Sequence, residues 1–447
     1  YDVPTGFLAL MDDNIPQEGV TSPDFVWIKK RSGNASHYLF DTVRGAGKDL
    51  HSDATSSEAS SADTLKSFDS QGFTVGLTTD INDKDTTYVA WTWKAGGPAP
   101  TQTYEVIVSG ASGANKYRFD GNDTDAPTLN LQQGGTYTFD QSDGTNSGHP
   151  LRFSTTSNGT HGGGSEYTVG VTTTGTPGTT GAKTVITVAW GAPTLYYYCT
   201  QHSAMGGQAN TTETRGSSNF KGSIPSVVST NTTAGFSVVS FDTDGNTSGT
   251  VGHGLSVQPQ LILGKTRNHG VGWYIQTPLV ATNLVGAFDA SAWYDPGFNH
   301  YNDTHPTTSV FSVGGYMADH ADLTNPSTKI AYCFANVEGY SKIGTYVGGG
   351  SSYLPFVFTG FRPAFVLINV ITTGNAWFIY DNKREGYNEA NDTLSPNYNT
   401  LEDSTYKLDL VSNGFKIRST QNAHNQSGQT FLYYAIAEAP FKFANAR

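Results

Sequence analysis

The sequence predicts an all-β protein made of tandem antiparallel β-sandwich modules. Three observations lead there. Charged residues make up only 14% of the chain, while glycine (51), tyrosine (24) and phenylalanine (24) are plentiful, which suits sheets joined by tight turns better than helical bundles. Short apolar alternations are separated by clusters of Gly, Asn, Asp, Ser and Thr, and no long stretch carries a helical period. Finally, 447 residues exceed what one ordinary hydrophobic core organises, so roughly three to five modules are expected.

In chain order, the first sign of organisation is self-similarity. SPDFVWIKKR (22–31), QPQLILGKTR (258–267) and RPAFVLINV (362–370) each place a proline ahead of a short strand. That position tolerates a residue with no N–H to give the ladder. A second aromatic strand follows each: HYLFDT (37–42), GWYIQT (272–277) and AWFIYD (376–381). FDSQGFTVG (68–76), TSVFSVGG (308–315) and LVSNGFKIRS (410–419) come next. Each copy closes on a strongly apolar strand: TYVAWTWKA (87–95), KIAYCFANV (329–337) and FLYYAIAEA (431–439). Strands apolar on both sides imply cover on both sides, from another sheet or a neighbouring subunit. Asn413-Gly414 reads as a hairpin turn, because Asn-Gly accepts positive φ at both central positions. The expected modules are 1–98, 99–215, 216–337 and 338–447. AGGPAPTQ (95–102) reads as a stiff join and 207–223 as an exposed polar linker.

The module between copies one and two carries the chemistry. LYYYCTQHSAMG (195–206) is a strand-like run ending in Cys199, followed by His202 and Met205 at three-residue intervals. Thiolate, imidazole and thioether are the donors copper prefers, and a blue-copper site combines two imidazoles and a thiolate with a weak axial thioether. The second imidazole must come from elsewhere, and His149 follows the strand-like TYTFD (136–140). The plainer readings are a small buried hydrophobe for Cys199 and core packing for Met205. His161, in a glycine-rich loop, reads as a solvated histidine.

Residues 103 to about 207 resemble a cupredoxin, the plastocyanin and amicyanin type of copper domain. The resemblance rests on YEVIV (104–108), the YRFDG turn, LNLQQGGTYTFD and the late Cys-x-x-His-x-x-Met loop, in that order. It implies one cupredoxin-like Greek-key sandwich, with copper as cofactor and His149, Cys199, His202 and Met205 as ligands. The Gly/Ser/Thr stretch 154–165 departs from the family pattern.

The repeats resemble an uncharacterised β-rich repeat of virion, fibre and tail proteins of marine tailed bacteriophages. The phrases are PTGFLAL (4–10), SPDFVWIK, FDTVRGAGK (40–48), TYVAWTWKAGG (87–97), EGYSKIGTY (338–346), TGFRPAFV (359–366) and EAPFKFANAR (438–447). That resemblance implies a place on the virion surface, outside the cell. It also implies a structural job among other virion proteins, self-association into a homo-oligomer such as a trimer, and a host-surface glycan as a further partner. It makes EAPFKFANAR a natural C-terminus, whereas a start at Tyr1 suggests a piece of something longer.

Other classes fit less well. A net charge of −12 with no basic run disfavours nucleic acid and anionic lipid. No apolar run reaches membrane-spanning length. Two cysteines, Cys199 and Cys333, cannot make a disulfide framework. No nucleophile elbow, phosphate-cradling glycine loop or His-Glu-x-x-His helix occurs, so no enzyme is expected. Glu402 and Asp403 read as solvated carboxylates.

Overall fold

The computed structural model describes residues 7–11, 22–243, 248–288, 292–297, 300–314 and 327–438. EAPFKFANAR beyond Glu438 and the first residues of PTGFLAL lie outside them. The protein is almost entirely β. It forms two compact units. One holds residues 1–95, 230–249 and 253–447; the other holds 96–229 and 250–252.

In the first unit, three sheets share one strand order. The first copy runs Phe7–Met11, Tyr88–Trp93, Phe25–Lys30, Tyr38–Asp41. The second runs Phe236–Asp242, Thr328–Phe334, Leu261–Thr266, Trp273–Gln276. The third runs Ser341–Val347, Thr430–Ala437, Pro363–Val370, Phe378–Asp381. In each the closing apolar strand is internal, paired antiparallel on both sides, as suits the most hydrophobic segment. Its partners stay in register: Trp27 opposite Trp91, Leu263 opposite Tyr332, and Leu367 opposite Tyr434.

One face of all three sheets enters a single core. Phe25, Trp27, Trp91 and Trp93 of the first copy meet Leu261, Trp273, Tyr332 and Phe334 of the second and Phe365, Trp377, Tyr434 and Ile436 of the third. Phe25 lies 4.4 Å from Tyr332 and Phe334 lies 5.0 Å from Tyr434, ring centre to ring centre. The opposite face of the first sheet (Val26, Ile28, Phe40) packs with Leu65, Phe68 and Phe73 of a hairpin. That of the third (Val366, Ile368, Tyr380) packs with Leu408, Leu410 and Phe415. The second apolar side of these strands is thus covered by a small sheet of the same chain. Of the seven tryptophans only Trp190 is exposed, so aromatic content here is chiefly packing.

Buried polar groups lock the copies together. Asp41 and Arg44 pair within the first copy, and Asp381 and Arg384 pair within the third at 2.6 Å. Arg44 Nη2 donates to Leu39 O and Arg384 Nη2 to Ile379 O, each at 2.9 Å. Asp41 accepts from Tyr332 Oη at 2.8 Å, and Asp381 accepts from Trp91 Nε1 at 3.1 Å, so each carboxylate ties its copy to the central strand of another. Burial alone would push the Asp381 carboxyl up; the Arg384 guanidinium holds it below the usual carboxylate range. Glu402, read above as solvated, bridges Arg384 and Arg31 and has little exposure. Its sequence surroundings are polar because the whole corner is a charge network.

The second unit has a five-stranded and a four-stranded sheet around one core. The strand order is Lys116–Phe119, Thr101–Ser109, Thr136–Asp140, Lys183–Thr187, Val171–Thr174 in the first, and Leu129–Gln132, Gln208–Thr212, Leu195–Cys199, Leu151–Ser154 in the second. Two pairings, Thr136–Asp140 with residues 101–105 and Leu129–Gln132 with Gln208–Thr212, are parallel, which a purely antiparallel reading did not foresee. Alternation decides the faces: Tyr104, Val106, Tyr137, Phe139, Leu195 and Tyr197 point into the core. The stretch 207–223 is not the expected linker. Ala209 and Phe220 join the core, Ser218 O accepts from Gln102 Nε2 and Tyr104 Oη, and Ser217 Oγ bonds Tyr137 Oη. Ser217 and Ser218 are buried and satisfied, a state indistinguishable from exposure by composition alone. The ends of this unit lie together, with Gly96 N donating to Ser229 Oγ at 2.9 Å.

Candidate metal centre

The strand Leu195–Cys199 delivers its last residue into the core, and Leu151 pairs opposite it. His149 sits just before Leu151, so strand pairing places both side chains at one end of the four-stranded sheet. After Cys199 the chain turns back on itself. Ala204 takes a left-handed conformation (φ 60°), and Gly206 lies so close to strand 195–199 that a Cβ would come within 1.8 Å of Tyr197 O. This tight return brings His202 back over Cys199.

Cys199 Sγ lies 3.8 Å from Nδ1 of His149 and 3.8 Å from Nδ1 of His202. The two imidazoles are 4.6 Å apart, and the ligand atoms of all three residues fall within 4.8 Å of one another. Metal–nitrogen and metal–sulfur bonds of roughly 2.0–2.3 Å at trigonal angles require nitrogen–sulfur separations of about 3.5–4 Å. The residues therefore fit a small first-row ion between them. Met205 is buried in the same core as Cys199, and its carbonyl accepts from Tyr117 N at 3.0 Å. Cys199 is buried, His149 half-buried and His202 exposed, so the site opens to solvent on the His202 side. Burial, and then the neighbouring His202, push the His149 imidazole below its usual range, which keeps the neutral, ligating form.

The surroundings fix the candidate ligands. Tyr117, fully buried, donates from Oη to His149 O at 2.8 Å, while its amide holds Met205 O, so one residue ties both ligand-bearing segments. Burial and the nearby Cys199 drive its phenol well above the ordinary range, so it stays protonated as a donor. Gln141 Nε2 also donates to His149 O at 2.8 Å, and its Oε1 accepts from Leu151 N at 3.1 Å. Tyr117 lies in the YRFDG phrase, but nothing local in the sequence reveals a partner 32 positions away. His161, read as solvated, is exposed yet has Nε2 at 3.1 Å from Cys199 O.

Cys333 is a separate, buried strand residue, and both cysteines are free thiols. Burial pushes the Cys333 thiol up to about 12, so it remains protonated. No helix among the described residues is long and apolar enough to cross a membrane.

No curated protein matches the chain. A protein named as membrane anchored, from Corynebacterium diphtheriae, aligns with 10% identity over 94% of this chain and 88% of its own, at a TM-score of 0.12 that carries no argument. A family model matches residues 13–125 and 209–440, well over half of the chain, and leaves out the segment containing His149, Cys199, His202 and Met205. The chain belongs to that family, which is described as a domain of unknown function, DUF7483.

Proposed function

We propose that this protein is a structural component of a tailed-bacteriophage virion surface, acting as a fibre, spike or decoration of the capsid or tail. The observation that supports it best is the shared aromatic core of the three copies, tied by buried ion pairs, which suits a rigid scaffold. The phage setting rests on the repeat phrases. Self-association with other copies and with further virion proteins follows from that setting, as does attachment to host glycan. Antibodies raised against the protein should label intact particles in electron micrographs, and its peptides should appear in purified virions. Particles lacking both would refute the reading.

A second reading concerns the inserted module. The His149, Cys199 and His202 cluster, with Met205 on the same loop, supports copper binding. When bound, copper would supply a redox centre or a staple between loop and sandwich. Reconstituted protein should retain about one equivalent of copper after desalting, and His202→Ala should lose it. Equal retention by both proteins would contradict the reading.

A further inference from the structure

The stretch 154–165, which departs from the cupredoxin pattern, folds into a closed strap. Ser154 Oγ donates to Ser165 O at 2.7 Å, and Gly159, Gly163 and Gly164 donate their amides back to Thr156, Thr160 and Gly159. The strap lies over strand 195–199. Gly159 is in the left-handed region (φ 55°), and a Cβ there would come within 2.4 Å of the Tyr198 ring. Tyr198 neighbours the core-facing Tyr197 and Cys199, so it points to the outer side of the sheet, yet it is only 1% exposed. Glycine at 159 is thus what lets the strap rest on that ring.

Two side chains of the strap reach the ligand loop on either side of His202. Asn158 Oδ1 accepts from Ala204 N at 2.7 Å. His161 Nε2 lies 3.1 Å from Cys199 O, and since that oxygen only accepts, Nε2 carries the proton. The loop residues 200–203 hang between these two anchors, with Thr200 N also held by Pro150 O at 3.1 Å. A short loop with both ends fixed has few conformations left, so His202 is held beside Cys199 before any ion arrives.

We infer that the 154–165 strap is a positioning device for the metal loop, with Asn158 and His161 as its positioning residues. They hold the backbone flanking His202 and set how readily the bound ion is released. The purpose assigned to the strap rests on the copper reading above, but the clamp itself can be tested without metal.

Asn158 has φ 61°, so Asn158→Gly keeps the backbone conformation and removes only the acceptor. In metal-free protein the Ala204 amide should exchange with deuterium about tenfold faster in Asn158→Gly, with the melting transition retained. In copper-loaded protein, release to a chelator should quicken by about tenfold in Asn158→Gly and in His161→Ala. His161→Gln, which keeps a donor, should recover part of the slow release. Unchanged exchange at Ala204, or unchanged release, overturns the inference. Wild-type protein that takes up no copper sinks the copper reading itself, and with it the purpose of the strap.

Discussion

Glu58 accepts from Arg267 Nε at 2.8 Å, joining the first copy to the second. The backbone joins there too, with Glu58 N on Arg267 O at 2.6 Å. Glu402 repeats the arrangement between the third copy and the first, on Arg31, with its own amide on Arg31 O at 3.1 Å. Each glutamate also takes the arginine of its own copy, Arg44 or Arg384. At the remaining corner Trp293 N donates to Ile371 O at 3.1 Å, the same backbone bond, with an indole where the other two corners carry a carboxylate. Counting from the paired strands, Val280 stands where Arg44 and Arg384 stand, and Ile371 where Arg31 and Arg267 stand. Two corners are ionic, and the third is apolar among the described residues.

Glu58→Gln should therefore destabilise the first unit by about 3 kcal/mol, because it leaves Arg44 and Arg267 short of a carboxylate in a buried setting. Replacing the corner as a set, with Asp41→Thr, Arg44→Val, Glu58→Trp and Arg267→Ile, should lie closer to wild type, since it removes the charges together and leaves no buried carboxylate unpaired. Urea denaturation of the three proteins checks this. A single variant as stable as wild type would deny the corner any role.

Acid should weaken the first unit through His424. Its imidazole is pushed down to about 3 by burial, packs against Phe378 and Tyr406, and bonds Tyr380 Oη at 2.7 Å. The folded value lies below the ordinary one near 6.5, so the unfolded chain binds the proton more readily between them. Stability from this group is full above pH of about 6.5 and falls as pH drops towards 3. His253 and His300, each lowered to about 4 by burial, act in the same direction. Melting temperature against pH should fall across this window, and more shallowly in His424→Gln.

Much of the fold was legible because the closing strands are apolar enough to be recognised without partners. Tyr332 and Trp91 announce internal strands by composition alone. The cluster of His149, Cys199 and His202 was readable because cysteine is rare in this chain and His202 and Met205 follow Cys199 at three-residue intervals. The corners were not readable. Asp41-Thr-Val-Arg44 and Asp381-Asn-Lys-Arg384 look like ordinary polar turns, and their partners Tyr332 and Trp91 lie 291 and 290 positions away in sequence. The buried serines at 217 and 218 and the Tyr117 bridge were hidden for the same reason: burial of a polar group depends on contacts that a local pattern does not encode.

Deleting residues 97–228 and joining the ends should leave the first unit folded. Lys94 O and Asn231 Nδ2 lie 3.4 Å apart, so a short link spans the gap without strain. Calorimetry should show the shortened protein keeping a cooperative transition close to that of the intact chain. Loss of the transition would make the inserted module part of the scaffold's own stability.

Gly206→Ala should damage the proposed metal loop specifically. The added methyl has no room against Tyr197 O, so the return of the loop must shift. We expect copper affinity to fall by at least about tenfold, with about 1–3 kcal/mol lost from the second unit. Copper titration and thermal melting of this variant check both.

The most direct test of the proposed copper centre is the visible spectrum on adding Cu(II) to metal-free protein. An intense thiolate-to-copper band should appear in the wild type and be absent from Cys199→Ser, while Cys333→Ser keeps it. A wild-type spectrum with no such band, or one that survives loss of the Cys199 thiol, would contradict the assignment of His149, Cys199 and His202 to a single copper site.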